Sequence, residues 1–479
     1  MQTEIIYIKQ RGGTVSQCLQ SSSCMDKFMR LKSLYLSLIS LLMVVIAACG
    51  SGDDYSVITV SPTTCVITSV ELGKIPRVIY TKTAEGKDSI YVVTVTGQYY
   101  PMSIDHYSER IFNVDSLPYG CDAAKVTFTT LGSSGTLAIN SLSQQDVDTF
   151  FVATDSTDFS KPRKVTVYAP NGVAKRTYEM EIRVHQEDGD KFVWHKQAEA
   201  SDAMAGLELT AAYANEGTLF VYGMENGQPV ALTALCSAPA EWTKSAMTVP
   251  VTAPTLYGGA FYAISNGALV QSNDGVVWES VATNLSSPLT ALVAGSTALY
   301  AVAQDGFFIS ADGVTWTQQE ADEPDYLPTE ICSAACLPSL TDNSFEDIIV
   351  VGSRNGIPVV WKLNVDTKGD YTHKWNYYPE TPLNPYPCPA LATRQVYAYD
   401  GGTLLIGAKQ DGSSVVYLSR DNGRTWKNNE IPQLEGVSAP VVTAVDANHF
   451  IWIVSQDGQV MKGRFNRLGW VNQDRVFTE

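Results

Sequence analysis

Apolar and polar positions divide the 479-residue chain into three regimes. Residues 34–48 form a largely apolar run of fifteen, interrupted only by Ser37 and Ser40, behind the positive Lys27, Arg30 and Lys32. The run is too short to span a bilayer comfortably and has the size of a signal-peptide core. From 56 to 190 the pattern is period-two. Short runs at 57–60, 65–70, 90–96, 125–129, 136–139 and 150–152 are separated by turn residues. They predict strands, with no sustained helical period. Val165 and Val167, then Pro170-Asn171-Gly172, then Tyr178, Met180, Ile182 and Val184 predict a hairpin, since Asn-Gly readily supplies the positive φ of a tight turn. Strands this short predict a β-sandwich over 56–190.

After residue 195 the pattern repeats. One unit runs from an apolar strand at 299–303 through Asp305-Gly306 to a second strand at 307–310. Asp312-Gly313 and Thr315-Trp316 follow. The first turn recurs as Asn226-Gly227, Asn266-Gly267, Asp305-Gly306, Asn355-Gly356, Asp411-Gly412 and Asp457-Gly458, at spacings of 40, 39, 50, 56 and 46. A tryptophan closes each unit at Trp242, Trp278, Trp316, Trp375, Trp426 and Trp470, and further apolar runs such as 290–293 and 441–445 precede the repeats as innermost strands. Four strands per unit, six times over, predict a six-bladed β-propeller over 191–479, because a single four-stranded sheet buries neither face until a neighbour covers it. Val193-Trp194 reads either as a clasp that completes the ring or as a linker. The fold class is therefore all-β: an N-terminal β-sandwich followed by a six-bladed β-propeller with Asp-box hairpins.

Charge narrows the function. The chain carries 33 Lys+Arg against 50 Asp+Glu, net −17, which excludes a nucleic-acid binder. Without residues 1–48 it keeps 28 basic and 48 acidic residues, net −20. Cys65, Cys121, Cys236, Cys332, Cys336 and Cys388 show no Cys-x-x-Cys pair, so they read as free thiols rather than a zinc or redox site.

The apolar run ends in Ile46-Ala47-Ala48-Cys49, a bacterial lipobox in which Cys49 is acylated. Residues 25–48 are then the signal peptide, with a start at Met25 or Met29, and residues 1–24 an over-extended start. Residues 49–55 form a tether. Its Gly50-Ser51-Gly52-Asp53-Asp54 resembles the acidic tether of Bacteroidetes surface lipoproteins. That resemblance implies an outer-membrane protein, lipid-anchored and facing outward. The stretch Asp158-Phe159-Ser160 with 164–168 and 178–184 resembles the last hairpin of their Ig-like modules.

Ser419, Asp421, Gly423, Thr425 and Trp426 fit the Asp-box pattern in full. Ser272, Asp274, Gly275 and Trp278, and Ser310, Asp312, Gly313 and Trp316, fit it with one residue deleted. The propeller half therefore resembles the Asp-box propellers of sialidases, sortilin-type receptors, large β-glucanases and photosystem assembly factors. The whole chain resembles Bacteroidetes lipoproteins that join an Ig-like module to such a propeller. In that family these carboxylates are structural. The sialidase Phe/Tyr-Arg-Ile-Pro motif is absent from the propeller, and no Gly-x-Ser-x-Gly elbow is present. No catalytic residue, metal ligand or cofactor emerges. Two long interblade connections, 318–328 and 376–389, carry Tyr326, Tyr377, Tyr378 and Tyr386. Tyrosine in a proline-stiffened loop suits sugar rings or peptides, so these four are the candidate binding residues for a glycan or protein ligand. A polysaccharide hydrolase with paired carboxylates and an outer-membrane scaffold are the alternatives.

Overall fold

The computed structural model describes residues 63–470, apart from 84–86, 145–146, 200, 205, 370–373 and 438–439. The signal sequence, Cys49, the tether and the strand expected at 57–60 lie outside the described residues. Among those described, the chain is built of β-strands, and its helices are short 3-10 turns such as Gly97–Tyr99. Two compact units form. One takes residues up to 69, 131–152 and 164–179, the other 70–130, 153–163 and 180 onward.

In the first unit Thr136–Asn140 pairs antiparallel with Asp148–Phe150 on one edge and with residues 165–168 on the other. A turn forms at Asn171-Gly172, but with positive φ at Gly172 and not at Asn171. Gly172 has φ 71°, and Asn171 Oδ1 accepts from the N–H groups of Val173 and Ala174. Val165, Val167 and Tyr178 are fully buried, in keeping with the alternation that predicts them.

The second unit opens with two hairpins, of which the apolar pattern predicts one strand, the run at 90–96. Lys74–Lys82 pairs along its length with Asp88–Thr96, and Met102–Asp105 pairs with Arg110–Asn113. The first is a two-stranded ribbon that leaves Tyr80, Ile90 and Val92 in solvent, while Ile75 near its start is fully buried.

Six antiparallel sheets follow. The first consists of Leu207–Asn215, Thr218–Glu225, Gln228–Leu235 and Thr243–Ala246. The second holds Thr252–Tyr257, Ala260–Ser265, Ala268–Ser272 and Glu279–Ser280. The third holds Leu289–Ala294, Leu299–Ala303, Gly306–Ser310 and Thr317–Gln319. The fourth holds Glu330–Pro338, Phe345–Arg354, Ile357–Asp366 and Asn376–Tyr378. The fifth has three strands, Thr393–Tyr399, Gly402–Ala408 and Ser414–Ser419. The sixth holds Val441–Val445, Ile451–Ser455 and Val460–Phe465, with Phe192–Ala198 as its outer strand. The second strands read almost wholly buried, as a sheet covered on both faces requires.

Each sheet packs face to face on the next, and its first strand lies against the first strand of its neighbour. Val441–Val445 of the sixth also lies against Leu207–Asn215 of the first. The joint is a single apolar cluster in which Leu207, Leu219, Val221 and Leu232 meet Val442, Trp452, Val454 and Val460. This is the arrangement of a β-propeller.

The Asn-Gly turns explain the recurrence seen in sequence. Asn226 and Gly227, Asn266 and Gly267, and Asn355 and Gly356 all have positive φ, between 49° and 80°. A type I′ turn needs that at both central positions, and Asn and Gly tolerate it best.

Trp194 takes the clasp position, one of its two expected parts, whereas Trp470 does not take the closing-strand position expected of it. Trp194 lies in the outer strand of the sixth sheet, opposite Gly463, and donates from Nε1 to the Pro432 carbonyl at 2.7 Å. Trp470 is not a closing-strand residue. It follows a 3-10 turn, Asn466–Gly469, stacks on His185 at 3.6 Å and donates to Glu187. The sixth sheet is thus finished by residues from before the first. Trp194→Phe removes the Pro432 bond and is expected to lower stability by about 1 kcal/mol, read as a shift in the urea midpoint.

Candidate functional site

The first strands of five sheets line a cavity of about 360 Å³. Its walls are small: Ala211, Ala212, Ala291, Ala294, Ala334, Ala335 and Ala398 let the strands approach one another. Side-chain hydrogen bonds link neighbouring strands around it. Thr210 donates to the Val251 carbonyl at 2.8 Å. Thr255 accepts from Ala294 N–H at 3.1 Å, and Ser333 from Val396 N–H at 3.0 Å. Between the fifth and sixth sheets, Gln395 Oε1 accepts from both the N–H and the hydroxyl of Thr443, each at 2.9 Å, while Tyr397 donates to the Thr443 carbonyl.

None of the lining residues is Asp or Glu. The charge in the lining is Arg394, 6% exposed, whose guanidinium donates to the carbonyls of Gly352 and Leu391. Burial lowers its pKa. The nearby thiol of Cys332 is pushed by burial up to about 12 and stays protonated. Gln395 and Tyr397 were within reach of sequence reasoning, as polar residues at alternating positions of an innermost strand; Arg394, on the other parity, carried no such signal.

The four candidate tyrosines do not form one surface. Tyr377 and Tyr378 are adjacent in a strand, so their side chains leave opposite faces of the fourth sheet. Tyr377 stacks on Tyr326 at 4.6 Å, and Tyr326 offers its carbonyl to Trp361 Nε1 at 3.1 Å. This pair covers the gap between the third and fourth sheets, above the Phe307–Trp375 stack. Tyr378 lies under the Arg424 guanidinium at 4.8 Å. Tyr386 accepts at its carbonyl from Trp426 N–H at 2.9 Å and has Lys427 over its ring. That pair covers the next gap. Tyr326 and Tyr386 keep 46% and 48% of their surface exposed.

The three Ser-Asp-Gly-Trp turns share one wiring. Ser272, Ser310 and Ser419 accept from the N–H of Gly275, Gly313 and Gly423 at 2.8–2.9 Å. Trp278, Trp316 and Trp426 donate from Nε1 to the carbonyls of the same three glycines. The Asp312 carboxylate accepts from the N–H groups of Thr315 and Val314 and from the Ser310 hydroxyl, which holds it down at about 2. Burial pushes Asp274 and Asp421 upward, but their N–H and hydroxyl donors outweigh it and both carboxyls end low. A carboxylate so committed is a poor proton donor near neutrality.

The pH dependence follows from the sign of these shifts. Carboxyls depressed in the folded state add stability that is complete above their unfolded value near 3.9. That stability is lost as pH falls towards the folded value, about 2 for Asp312. The thermal midpoint is expected to fall further between about pH 4 and pH 2 in the native chain than in Asp312→Asn, measured by circular dichroism.

Other charged groups have local partners. Arg420 pairs with Asp400 and Glu430, Arg467 with Asp190 and Asp400, and Arg354 and Arg464 donate to backbone carbonyls. Arg475 lies outside the described residues. Asp411 and Asp457 accept from Ser413 and Ser455 within their own turns. Among the described residues no group of three or more His, Cys, Asp or Glu is placed to hold a metal ion, and the six cysteines there are free.

The family model of the DUF6242 beta propeller domain matches residues 188–473, and that of the DUF6242 N-terminal domain, a domain of unknown function, matches 70–182. No curated protein matches the chain. Among solved structures, a DUF4623 family protein from Bacteroides eggerthii is 11% identical, with a TM-score of 0.37, over 82% of this chain and 98% of that one. A gluconolactonase from Xanthomonas campestris is 10% identical, with a TM-score of 0.38, over 56% of this chain and 88% of that one. The Aleuria aurantia lectin is 11% identical, with a TM-score of 0.34, over 54% of this chain and 91% of that one. At these scores the likeness carries no argument about function.

Proposed function

Since the chain belongs to the DUF6242 β-propeller family, we propose that it is a lipid-anchored surface protein whose propeller binds a glycan or protein without catalysis. In this reading Cys49 carries the lipid, an Ig-like sandwich over 56–190 is the stalk, and six blades with Asp-box hairpins form the head. The ligand meets the face opposite those hairpins.

One observation carries the reading. The axial cavity is walled by hydroxyls, an amide, an arginine and small apolar side chains, with no carboxylate among its lining residues. A glycosidase of the usual kind needs two carboxyl groups across the bond it breaks, about 5–9.5 Å apart. The lining supplies neither. It does supply the few convergent polar groups on an apolar wall that a binding site uses.

The test uses the chain from Cys49 onward, screened on immobilised oligosaccharides and assayed in parallel for sugar release. Binding without release supports the reading. Release of reducing sugar would favour the hydrolase, and a stable co-purifying protein complex with no glycan binding would favour the scaffold. Separately, Cys49→Ser is expected to abolish labelling by radioactive palmitate and to move the protein out of the membrane fraction.

A further inference from the structure

Arg394 is a buried cation for which no described carboxylate forms an ion pair. Its Nη1 and Nη2 reach the carbonyls of Gly352 and Leu391, and its Nε, sealed from solvent, has no hydrogen-bond partner. The titratable groups nearest in effect at this site are the thiols of Cys388 and Cys332, both raised by burial to about 12 and therefore neutral. Every other propeller arginine described above has a carboxylate, an aromatic ring or exposure to water. A guanidinium left buried without a counter-charge is costly, and the cost disappears when an anion arrives.

The cavity that Arg394 lines defines that anion. Its lining contains no second Lys or Arg, so it suits one negative charge rather than the two of phosphate. Its volume of about 360 Å³ lies at the small end of ligand pockets, the size for one ring and its substituents. Thr210, Thr252 and Thr290 each give their proton to a backbone carbonyl, which leaves their oxygens as acceptors for ligand hydroxyls. We propose that the axial cavity binds a small hydroxylated monocarboxylate, of sugar-acid size, through the Arg394 guanidinium. This rests on the binding reading above and names the chemical class of the ligand. The carboxylate would take the second protons of Nη1 and Nη2, and the sealed Nε would stay out of the pairing.

The experiment is isothermal titration of the full chain with D-glucuronate, using D-glucose, acetate and inorganic phosphate as comparisons. The expected result is glucuronate binding about tenfold or more tighter than glucose, since the charge-assisted pair is the difference. Acetate and phosphate bind more weakly still. Arg394→Gln abolishes the preference for glucuronate over glucose. Because that variant also cuts the ties to Gly352 and Leu391, Ala334→Leu, which narrows the cavity and spares the arginine, is tested beside it and is expected to weaken glucuronate about tenfold. Equal binding of glucose and glucuronate would overturn the carboxylate assignment and leave the platform reading standing. No glucuronate binding by the native chain, or undiminished binding by folded Ala334→Leu, would overturn the inference itself.

Discussion

Gly423→Ala is expected to cost about 2–5 kcal/mol of folding stability, and Gly412→Ala only about 1–2. Both glycines have a left-handed backbone, with φ of +89° and +81°. An added methyl group therefore carries the same intrinsic penalty at each. Their surroundings differ. A Cβ at Gly423 would sit 2.9 Å from Val360 Cγ1 and 3.5 Å from Ile349 Cγ2, both on the fourth sheet, whereas at Gly412 it meets nothing within 4 Å. The turn at Gly423 is also tied to the fourth sheet through Asn422, which donates to Asp347 at 2.9 Å. The difference between the two variants, read from urea unfolding, measures how rigidly the turn is pressed into the neighbouring sheet. Gly275 against Phe220 and Gly313 against Tyr262, at 2.9 and 2.8 Å, repeat the contact at two other gaps and should behave alike. Equal costs at Gly423 and Gly412 would mean that Val360 yields freely and that these turns do not lock sheet to sheet.

This coupling shows where sequence was informative and where it was not. Local turn chemistry could be read from spacing alone, because Asn-Gly with two positive φ values and Ser-Asp-Gly-Trp with its own hydrogen bonds are closed within a few residues. Sequence left Trp194 open between clasp and linker, and it misplaced Trp470 as a closing-strand residue. Which strand completes the sixth sheet depends on pairing between residues some 270 positions apart, and both tryptophans carry equally good strand contexts. The tyrosines show the same limit at shorter range. Their place in two long connections suggested binding residues of one kind, but the two-residue period of the strand sends Tyr377 and Tyr378 to different gaps. Arg394 was visible as one arginine among several. Only the strand's place against the cavity, and the lack of a described carboxylate partner, set it apart.

Trp361→Ala is expected to cost about 3–5 kcal/mol and to loosen a connection on the proposed binding face. Trp361 is fully buried between the third and fourth sheets, with Phe307 at 5.1 Å and Tyr377 at 5.4 Å. Truncation leaves a cavity in a cluster that also holds Leu327, Val350 and Trp375. It also removes the donor to the Tyr326 carbonyl. The 318–328 connection keeps the Tyr326–Tyr377 stack and Asp322, which accepts from Tyr377 N–H at 2.9 Å. It also keeps the backbone ties of Glu320 and Asp322 to Trp375 and the bond from Arg354 to the Leu327 carbonyl, so the release is expected to be local to Tyr326. Two readouts separate the effects. Global stability comes from urea unfolding, and local release from limited proteolysis under native conditions. Trp361→Phe keeps most of the volume and loses the Tyr326 bond, so it should cost about 1–2 kcal/mol yet still expose the connection to cleavage. If Trp361→Phe leaves proteolysis unchanged, the stack and the ties to Trp375 and Arg354 hold the connection without the indole. The indole then matters only as filling between two sheets.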